Sequence, residues 1–555
     1  MCCIKNPKFH WLLSRVYCGA VCWLVLCFPS QFLWAQASYD RIFPQAISVG
    51  QTSQFKLEGK LGEWPIRVEC DRADIQIDFL KDKGSFEIQV SGDAPEGVAW
   101  LRFYDSSVVS KAMPVLIEPS KVDVESEGND LPQEAQEINV PISIGGRLSK
   151  SEDVDCFRLS LKAGQQLRAQ VVGKQVLNSP MDAVLQIVDQ RGNVLAQQDD
   201  QRGLDPQISF EAPDDGKYCV RVFAFPETPN STIGFSGGAD YNYVLRLDTS
   251  SRAEYFLPLV GQPADGRFQA VMSDGRVQFF NSTMSPEKSW LTSVVRSKTI
   301  RGWQWNSGLP APNPTAVFEN DGGELGANPV EAPCILSGRI STPREIDRYK
   351  VDFPQGRKMR LTLYSQELGY QLDSKISVHD ENGKQLAQND DRASKQYDSN
   401  LDFVAKTEGP FWVQVEDIAE SGGLLHCYSL LVQEVIPSVR LTVAKDRYSI
   451  DPGGKLELPV SIQRRDGFKQ KLSLSVEGLP AEFDTQNATS AASGDTSKLS
   501  KIMVHASDSV KPGHYHFHVS SAAEDSKADF TATFPLNGNC ELASFWLTVP
   551  EAAGE

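Results

Sequence analysis

The feature that most constrains this 555-residue chain is an internal repeat, in which residues 191 to 193 positions apart match across about 110 positions. Gly146, Arg147 and Leu148 recur as Gly338, Arg339 and Ile340, and Asp155 and Phe157 recur as Asp347 and Tyr349. Gly164 returns as Gly356, Asp182 as Asp373, and Asp189 with Gly192 as Asp380 with Gly383. Leu195, Ala196, Asp199 and Asp200 reappear as Leu386, Ala387, Asp390 and Asp391, and Gly216, Val220 and Val222 as Gly409, Val413 and Val415. A register held that long implies one structural unit used twice.

Within each copy, short runs alternate apolar and polar residues, as in Leu167-Arg168-Ala169-Gln170-Val171 and Tyr218-Cys219-Val220-Arg221-Val222. Period two means strands with one buried face. Asp189-Gln190-Arg191-Gly192 and Asp380-Glu381-Asn382-Gly383 stand between such runs and read as hairpin turns. Asp can bond the local backbone there, and Gly accepts positive φ. The expected fold class is all-β: tandem antiparallel β-sandwiches, two of jelly-roll type with immunoglobulin-like domains on either side. With 41% apolar residues the chain can fill such cores, so general disorder is excluded.

These residues resemble the bacterial pre-peptidase C-terminal domain family. That family's outline is an acidic entry, a Gly-x-Leu strand, an Asp-x-Asp-x-Phe/Tyr strand, an Asp-x-x-Gly turn, an Asp-Asp loop and a Gly-x-Tyr-x-Val-x-Val strand. The first copy follows it closely from Glu127 to Asp248. The second is more worn: Glu345 stands for Asp153, and Gly409-Pro410-Phe411-Trp412-Val413 replaces the tyrosine strand. The resemblance implies a sandwich in each copy and says little about function. The domain order expected is a signal peptide at 1–37, an immunoglobulin-like domain at 38–120, a first sandwich at 121–248, a linker or small β module at 249–317, a second sandwich at 318–435 and a C-terminal immunoglobulin-like sandwich at 436–550.

Acids gather at the entry to each copy. The first has Glu125, Glu127, Asn129 and Asp130, followed some 25 residues later by Asp153 and Asp155; the second has Glu319, Asn320 and Asp321, then Glu345 and Asp347. Calcium takes six to eight oxygen ligands at roughly 2.3–2.6 Å, so carboxylates and an amide brought together from two segments suit it. Members of the resembled family carry calcium at such a position, which makes both sets candidate ligands. The alternative is a solvated acidic linker. Asp199-Asp200 and Asp390-Asp391 read as loop acids that bond local backbone.

Lys5, Lys8 and Arg15 precede an apolar run from Val16 to Phe28, and Ala35-Gln36-Ala37 offers small residues for cleavage after Ala37. This reads as a secretory leader, too short to span a bilayer comfortably, and no later stretch could cross one. The expected location is secreted, periplasmic or on the cell envelope. Six of eleven cysteines follow the leader, none in a Cys-x-x-Cys pair. In an oxidising compartment they permit three bridges. Cys156 and Cys219 fall in phase with exposed-face residues and change together in the second copy, to Arg348 and Trp412, where Cys334 and Cys427 appear instead. The expected bridges are Cys156–Cys219 and Cys334–Cys427, with Cys70 and Cys540 left to pair.

No catalytic apparatus is legible. The 38–248 region holds no histidine, so Gly234-Phe235-Ser236-Gly237-Gly238, which superficially resembles a serine-protease nucleophile loop, has no base. His514, His516 and His518 share one strand face, either as an exposed comb or as a metal chelator. Trp303 and Trp305 share a face and read as core, or as a platform for sugar rings. Net charge −17 repels phosphate backbones and excludes nucleic acid as a partner. The chain therefore reads as an exported, non-enzymatic, calcium-binding protein whose partner is an extracellular polysaccharide or protein. The alternatives are the accessory portion of a secreted peptidase and a structural component of the envelope.

Overall fold

A computed structural model describes residues 37–199, 204–228, 234–249, 253–259, 267–272, 275–281, 303–305, 315–318, 329–523, 529–537 and 540–551. The leader apart from Ala37, the entry acids Glu319, Asn320 and Asp321, and Asp200 lie outside these residues. The fold is all-β, a succession of sandwiches with only short helical turns among the described residues. No described helix is long and apolar enough to cross a membrane.

The sequence repeat becomes a repeat of topology. In the first copy one sheet runs in the order Gln136–Glu137, Asp155–Leu161, Gly216–Pro226, Met181–Val188, Val194–Gln198. The other runs Gln207–Glu211, Gln166–Val172, Asn242–Asp248, Ile142–Arg147, Val122–Val124. In the second copy the corresponding orders are Val330–Glu331, Ile346–Asp352, Pro410–Asp417, Ser374–His379, Gln385–Asn389, and Asn400–Val404, Lys358–Tyr364, Cys427–Glu434, Cys334–Arg339, Thr315–Phe318. Strand for strand these agree. Even the two entry strands of each copy pair in parallel, against the antiparallel rule of the rest.

Alternation drives the packing. Phe157, Leu159 and Leu161 of the first copy turn inward to meet Val220, Val222, Leu245 and Leu247, and the second copy places Tyr349, Val351, Val413 and Val415 likewise. Each such side chain contributes about 1.5–3 kcal/mol when fully buried. The turns expected from Asp-x-x-Gly are present: Asp189 accepts the N–H groups of Arg191 and Asn193, Asp380 those of Asn382 and Lys384, and Gly192 and Gly383 adopt φ of 85° and 80°.

On either side of the repeats stand further two-sheet layers. Residues 41–118 form four-stranded sheets around Phe55, Phe86, Leu101 and Phe103. Residues 438–549 form a larger set of linked strands around Leu458, Leu474, Val504, Phe517 and Phe545. Between the repeats, Ala253–Leu257, Arg267–Met272 and Val277–Asn281 make a three-stranded sheet, from which Tyr255 and Leu257 pack on Leu425 and Cys427 of the second copy. Trp303–Trp305 is a strand paired with Cys540–Leu542.

The cysteine expectations need correction. Cys334 pairs with Val432 and Cys427 with Arg339, at opposite ends of the same strand pair. Five residues of offset is roughly 16 Å along a strand, whereas bridged Cα atoms lie within ~7 Å, so no Cys334–Cys427 bridge forms. Cys156 and Cys219 are diagonal neighbours, opposite Arg221 and Arg158, and both carry free thiols. They do point away from the main core, yet they are fully buried, because Ala135 and Phe235 cover the outer face of this sheet, where Val184 and Phe223 pack beside them. The side chain of Cys540 is outside the described residues.

The histidine comb is not a free face either. His514 bonds Thr548 Oγ1 at 2.9 Å and the carbonyl of Asp105, and its ring meets Tyr104 edge to face. The His516 ring meets the Trp546 ring edge to face with centroids 4.3 Å apart, and its Nε2 lies 3.5 Å from Glu69. His518 bonds the carbonyl of Ala543 at 3.0 Å. His514 and His516 are thus part of the contact between the first and last sandwiches, while His518 is held within the last.

Candidate functional site

The acids that enter the first repeat lie on two segments that pass close to each other, 125–130 and 153–155. The strand Val122–Val124 lies along Ile142–Arg147, which fixes Glu125 where its Oε2 accepts the backbone N–H of Arg147 at 2.5 Å. The chain then loops so that the carbonyl of Asn129 accepts the N–H of Cys156, beside the start of Asp155–Leu161. Asp153 and Asp155 flank that start, and both are fully buried.

The acids differ in how they are held. Asp153 Oδ2 accepts the N–H of Ser149 at 2.5 Å and its hydroxyl at 3.1 Å, while Oδ1 is buried without a partner. Asp155 Oδ2 accepts the Tyr243 hydroxyl at 2.6 Å, and its Oδ1 has no donor. Asn129 is 2% exposed, with neither its amide oxygen nor its nitrogen partnered. Asp130 pairs with Lys150 at 3.5 Å through Oδ2 and leaves Oδ1 buried and unpartnered. A native interior rarely leaves so many polar atoms unsatisfied in one place, and each calls for an explanation.

Electrostatics say the same. Burial holds the Asp155 carboxyl well above the ordinary carboxylate range, and the neighbouring Glu125 charge adds to this. Glu125 is raised as well, by burial first and then by Glu127, and Asp153 is raised by burial. Carboxylates crowded together in low dielectric resist ionising unless a cation joins them. Among the described residues, no three Asp, Glu, His or Cys side chains converge as a ligand set. The donor types are those a hard cation takes.

The second copy repeats part of this. Asp347 is buried and its Oδ2 accepts the Tyr428 hydroxyl at 2.6 Å, with Tyr349 bonded to Tyr428 at 2.6 Å. Glu345 turns to cap Thr342, accepting its N–H at 2.7 Å. Of the five candidate ligands here, only Glu345 and Asp347 fall among the described residues, and Glu345 is committed to its turn.

Two functional-looking tyrosines escaped the sequence reading. Tyr243 and Tyr428 are 185 positions apart, outside the 191–193 register, because the segments before the last strand differ in length. Their common signal is a tyrosine opening the final apolar strand of each copy. The loop with Ser236 proves to be packing: a Cβ on Gly237 would stand 1.9 Å from the Lys150 carbonyl oxygen, and Ser236 N–H bonds Ala224.

A cleft of about 280 Å³ lies on the second copy beside the loop after Asp391. Its floor is Asp398, whose carboxylate accepts the N–H groups of Ser365, Gln366 and Glu367 at 2.8–3.1 Å. The first copy has the same anchor: Asp205 accepts those of Gly173, Lys174 and Gln175 at 2.7–3.2 Å.

Residues 153–224 match the bacterial pre-peptidase C-terminal domain. A probable subtilase-type serine protease of Deinococcus radiodurans is 35% identical over 102 residues, which is 17% of this chain and 14% of the protease. The chain therefore spans about one seventh of the length of that relative. Among solved structures, the fibronectin(III)-like modules of Clostridium thermocellum CbhA are 13% identical, covering 36% of this chain and 90% of the modules with a TM-score of 0.13. Domains 4 and 5 of the S-layer protein SbsC are 14% identical, covering 24% of this chain and 67% of theirs, also at 0.13. What the comparisons support is a pre-peptidase C-terminal sandwich in the first copy of the repeat.

Proposed function

We propose that this is an exported, non-catalytic string of β-sandwiches that takes up calcium at the entry of its first repeat and binds a glycan or protein outside the cell. The observation that carries the ion assignment is the fully buried, unpartnered amide of Asn129, whose carbonyl holds the N–H of Cys156 next to Asp155, together with the unpartnered Asp153 Oδ1. Glu125, Glu127, Asn129, Asp130, Asp153 and Asp155 would supply the oxygen donors. A divalent cation would neutralise the crowded charge that burial otherwise penalises.

Calorimetry of the purified chain with calcium and then with chelator tests the reading. Melting should rise with free calcium as RT ln(1 + [L]/Kd), and Asp155→Asn should remove the rise. A melting curve indifferent to calcium overturns the ion assignment.

The similarity to a segment of a probable subtilase favours a second reading, in which the chain is an accessory to a secreted peptidase. The first reading requires that the purified chain cleave no protein substrate. Protease activity that follows the chain through purification would favour the second.

A further inference from the structure

The two copies of the repeat keep one anchor and diverge above it. Asp205 and Asp398 tie the same three backbone N–H groups, yet four residues separate Asp200 from Asp205 and six separate Asp391 from Asp398. The longer loop reads Arg392-Ala393-Ser394-Lys395-Gln396-Tyr397. It closes on itself, with Arg392 N–H bonded to the Gln396 carbonyl, and Lys395 adopts φ 63°, a left-handed conformation uncommon for a lysine. Strain of this kind persists where the surroundings fix it, and it gathers at ligand sites.

The loop is rigid at its base and open at its rim. Arg392 bonds Glu367 at 2.6 Å and the Leu363 carbonyl at 3.1 Å, and its guanidinium stacks 5.4 Å from the Tyr364 ring. Its Nε is buried and finds no acceptor in the protein. Tyr397, by contrast, is 48% exposed, beside the exposed Gln396 and the half-buried Gln366. The cleft of about 280 Å³ between them thus joins an exposed aromatic residue to planar polar groups, two amides, a guanidinium and two carboxylates. Its two cations, Arg392 and Lys395, are balanced by Glu367 and Asp398.

We propose that this cleft binds a sugar ring of a neutral polysaccharide. An aromatic face accepts the C–H side of a pyranose, and planar amides and a fixed guanidinium can each bridge neighbouring hydroxyls. The balanced lining and the acidic chain as a whole select against a polyanion. The proposal rests on the reading of the protein as a glycan binder and names the site at which it acts.

The test is titration calorimetry of the full chain with cellohexaose, maltohexaose, mannohexaose and hexagalacturonate, repeated on Tyr397→Ala, Tyr397→Phe and Lys395→Gly. Melting of each variant establishes that it is folded. A neutral hexasaccharide should bind, weaken roughly tenfold with Tyr397→Ala and bind nearly unchanged with Tyr397→Phe, since the stacked face remains. Binding that ignores Tyr397→Ala overturns this cleft and leaves the glycan reading standing. Binding of hexagalacturonate alone overturns the neutral class. A folded chain that binds none of the four overturns the proposal, and silence on a wider glycan array as well would overturn the glycan reading beneath it.

Discussion

Tyr243 donates its hydroxyl to Asp155 Oδ2 at 2.6 Å, and its ring fills the space above Gly146, where a Cβ would stand 2.2 Å from Cζ. The glycine of the Gly-x-Leu strand is therefore a seat for the tyrosine that holds the buried acid. Gly146→Ala should force the ring aside and cost about 1–3 kcal/mol, the ordinary range for overpacking a core. Urea unfolding followed by near-ultraviolet circular dichroism reads this directly, and an unchanged midpoint would mean that the ring is not seated there.

The sandwich architecture was legible because alternation and Asp-x-x-Gly turns act locally and recur. Val220 and Val222 had to face inward once Tyr218 did, and Asp189 and Asp380 had to close hairpins. The acidic entry was legible only as composition: the two segments do bring Glu125 against Asp155, but nothing in the spacing revealed Tyr243. The cysteines failed because phase along a strand says which face a residue takes and not what covers that face. Cys156 and Cys219 are on the outer face, under Phe235 and Ala135. Strand offset, which separates Cys334 from Cys427, is a property of pairing and cannot be read from either strand alone.

The paired anchors give a prediction for both copies. Asp205 and Asp398 each accept three backbone N–H groups, a larger share than a usual helix N-cap residue takes. Replacing such an acceptor with alanine typically costs about 0.5–2 kcal/mol, and both Asp205→Ala and Asp398→Ala should fall at the upper end. Hydrogen exchange should accelerate at 173–175 in the first variant and at 365–367 in the second. Faster exchange spread over the whole sandwich would mean that the anchor is global and not local.

The contact between first and last sandwiches should respond to acid through His514. Burial lowers its pKa from the ordinary histidine value; the Asp105 carbonyl and charge oppose this, while His516 and Arg67 reinforce it. Glu69 also faces this contact through His516. A histidine lowered in the folded state contributes stability that is whole above its unfolded pKa of about 6.5 and is lost as pH falls below that value. The wild-type chain should therefore lose more melting temperature between pH 7.5 and 5.5 than His514→Gln does. Equal losses in the two proteins would remove His514 from the account.

That same contact is held by a charge pair taken almost wholly out of water. Arg102 Nη2 meets Asp446 Oδ2 at 2.8 Å with side chains 1% and 7% exposed, and the guanidinium lies 5.6 Å from the Trp546 ring. Desolvation lowers the Arg102 pKa; the Asp446 charge and hydrogen bond oppose it first, and the Glu69 charge adds to them. Breaking such a pair from one side leaves a buried charge unanswered, which costs about 3–5 kcal/mol. Asp446→Ala should thus destabilise the chain more than its lost contact area suggests, because the buried Arg102 charge loses its hydrogen-bonded carboxylate and keeps only weaker support such as the Glu69 charge. Arg102→Met combined with Asp446→Leu should recover most of the loss, since two packed apolar side chains need no solvation. A double-mutant cycle read by urea unfolding separates these outcomes: a coupling energy near zero would mean that water reaches the pair, and that apolar packing such as Trp100 on Leu536 carries the contact instead.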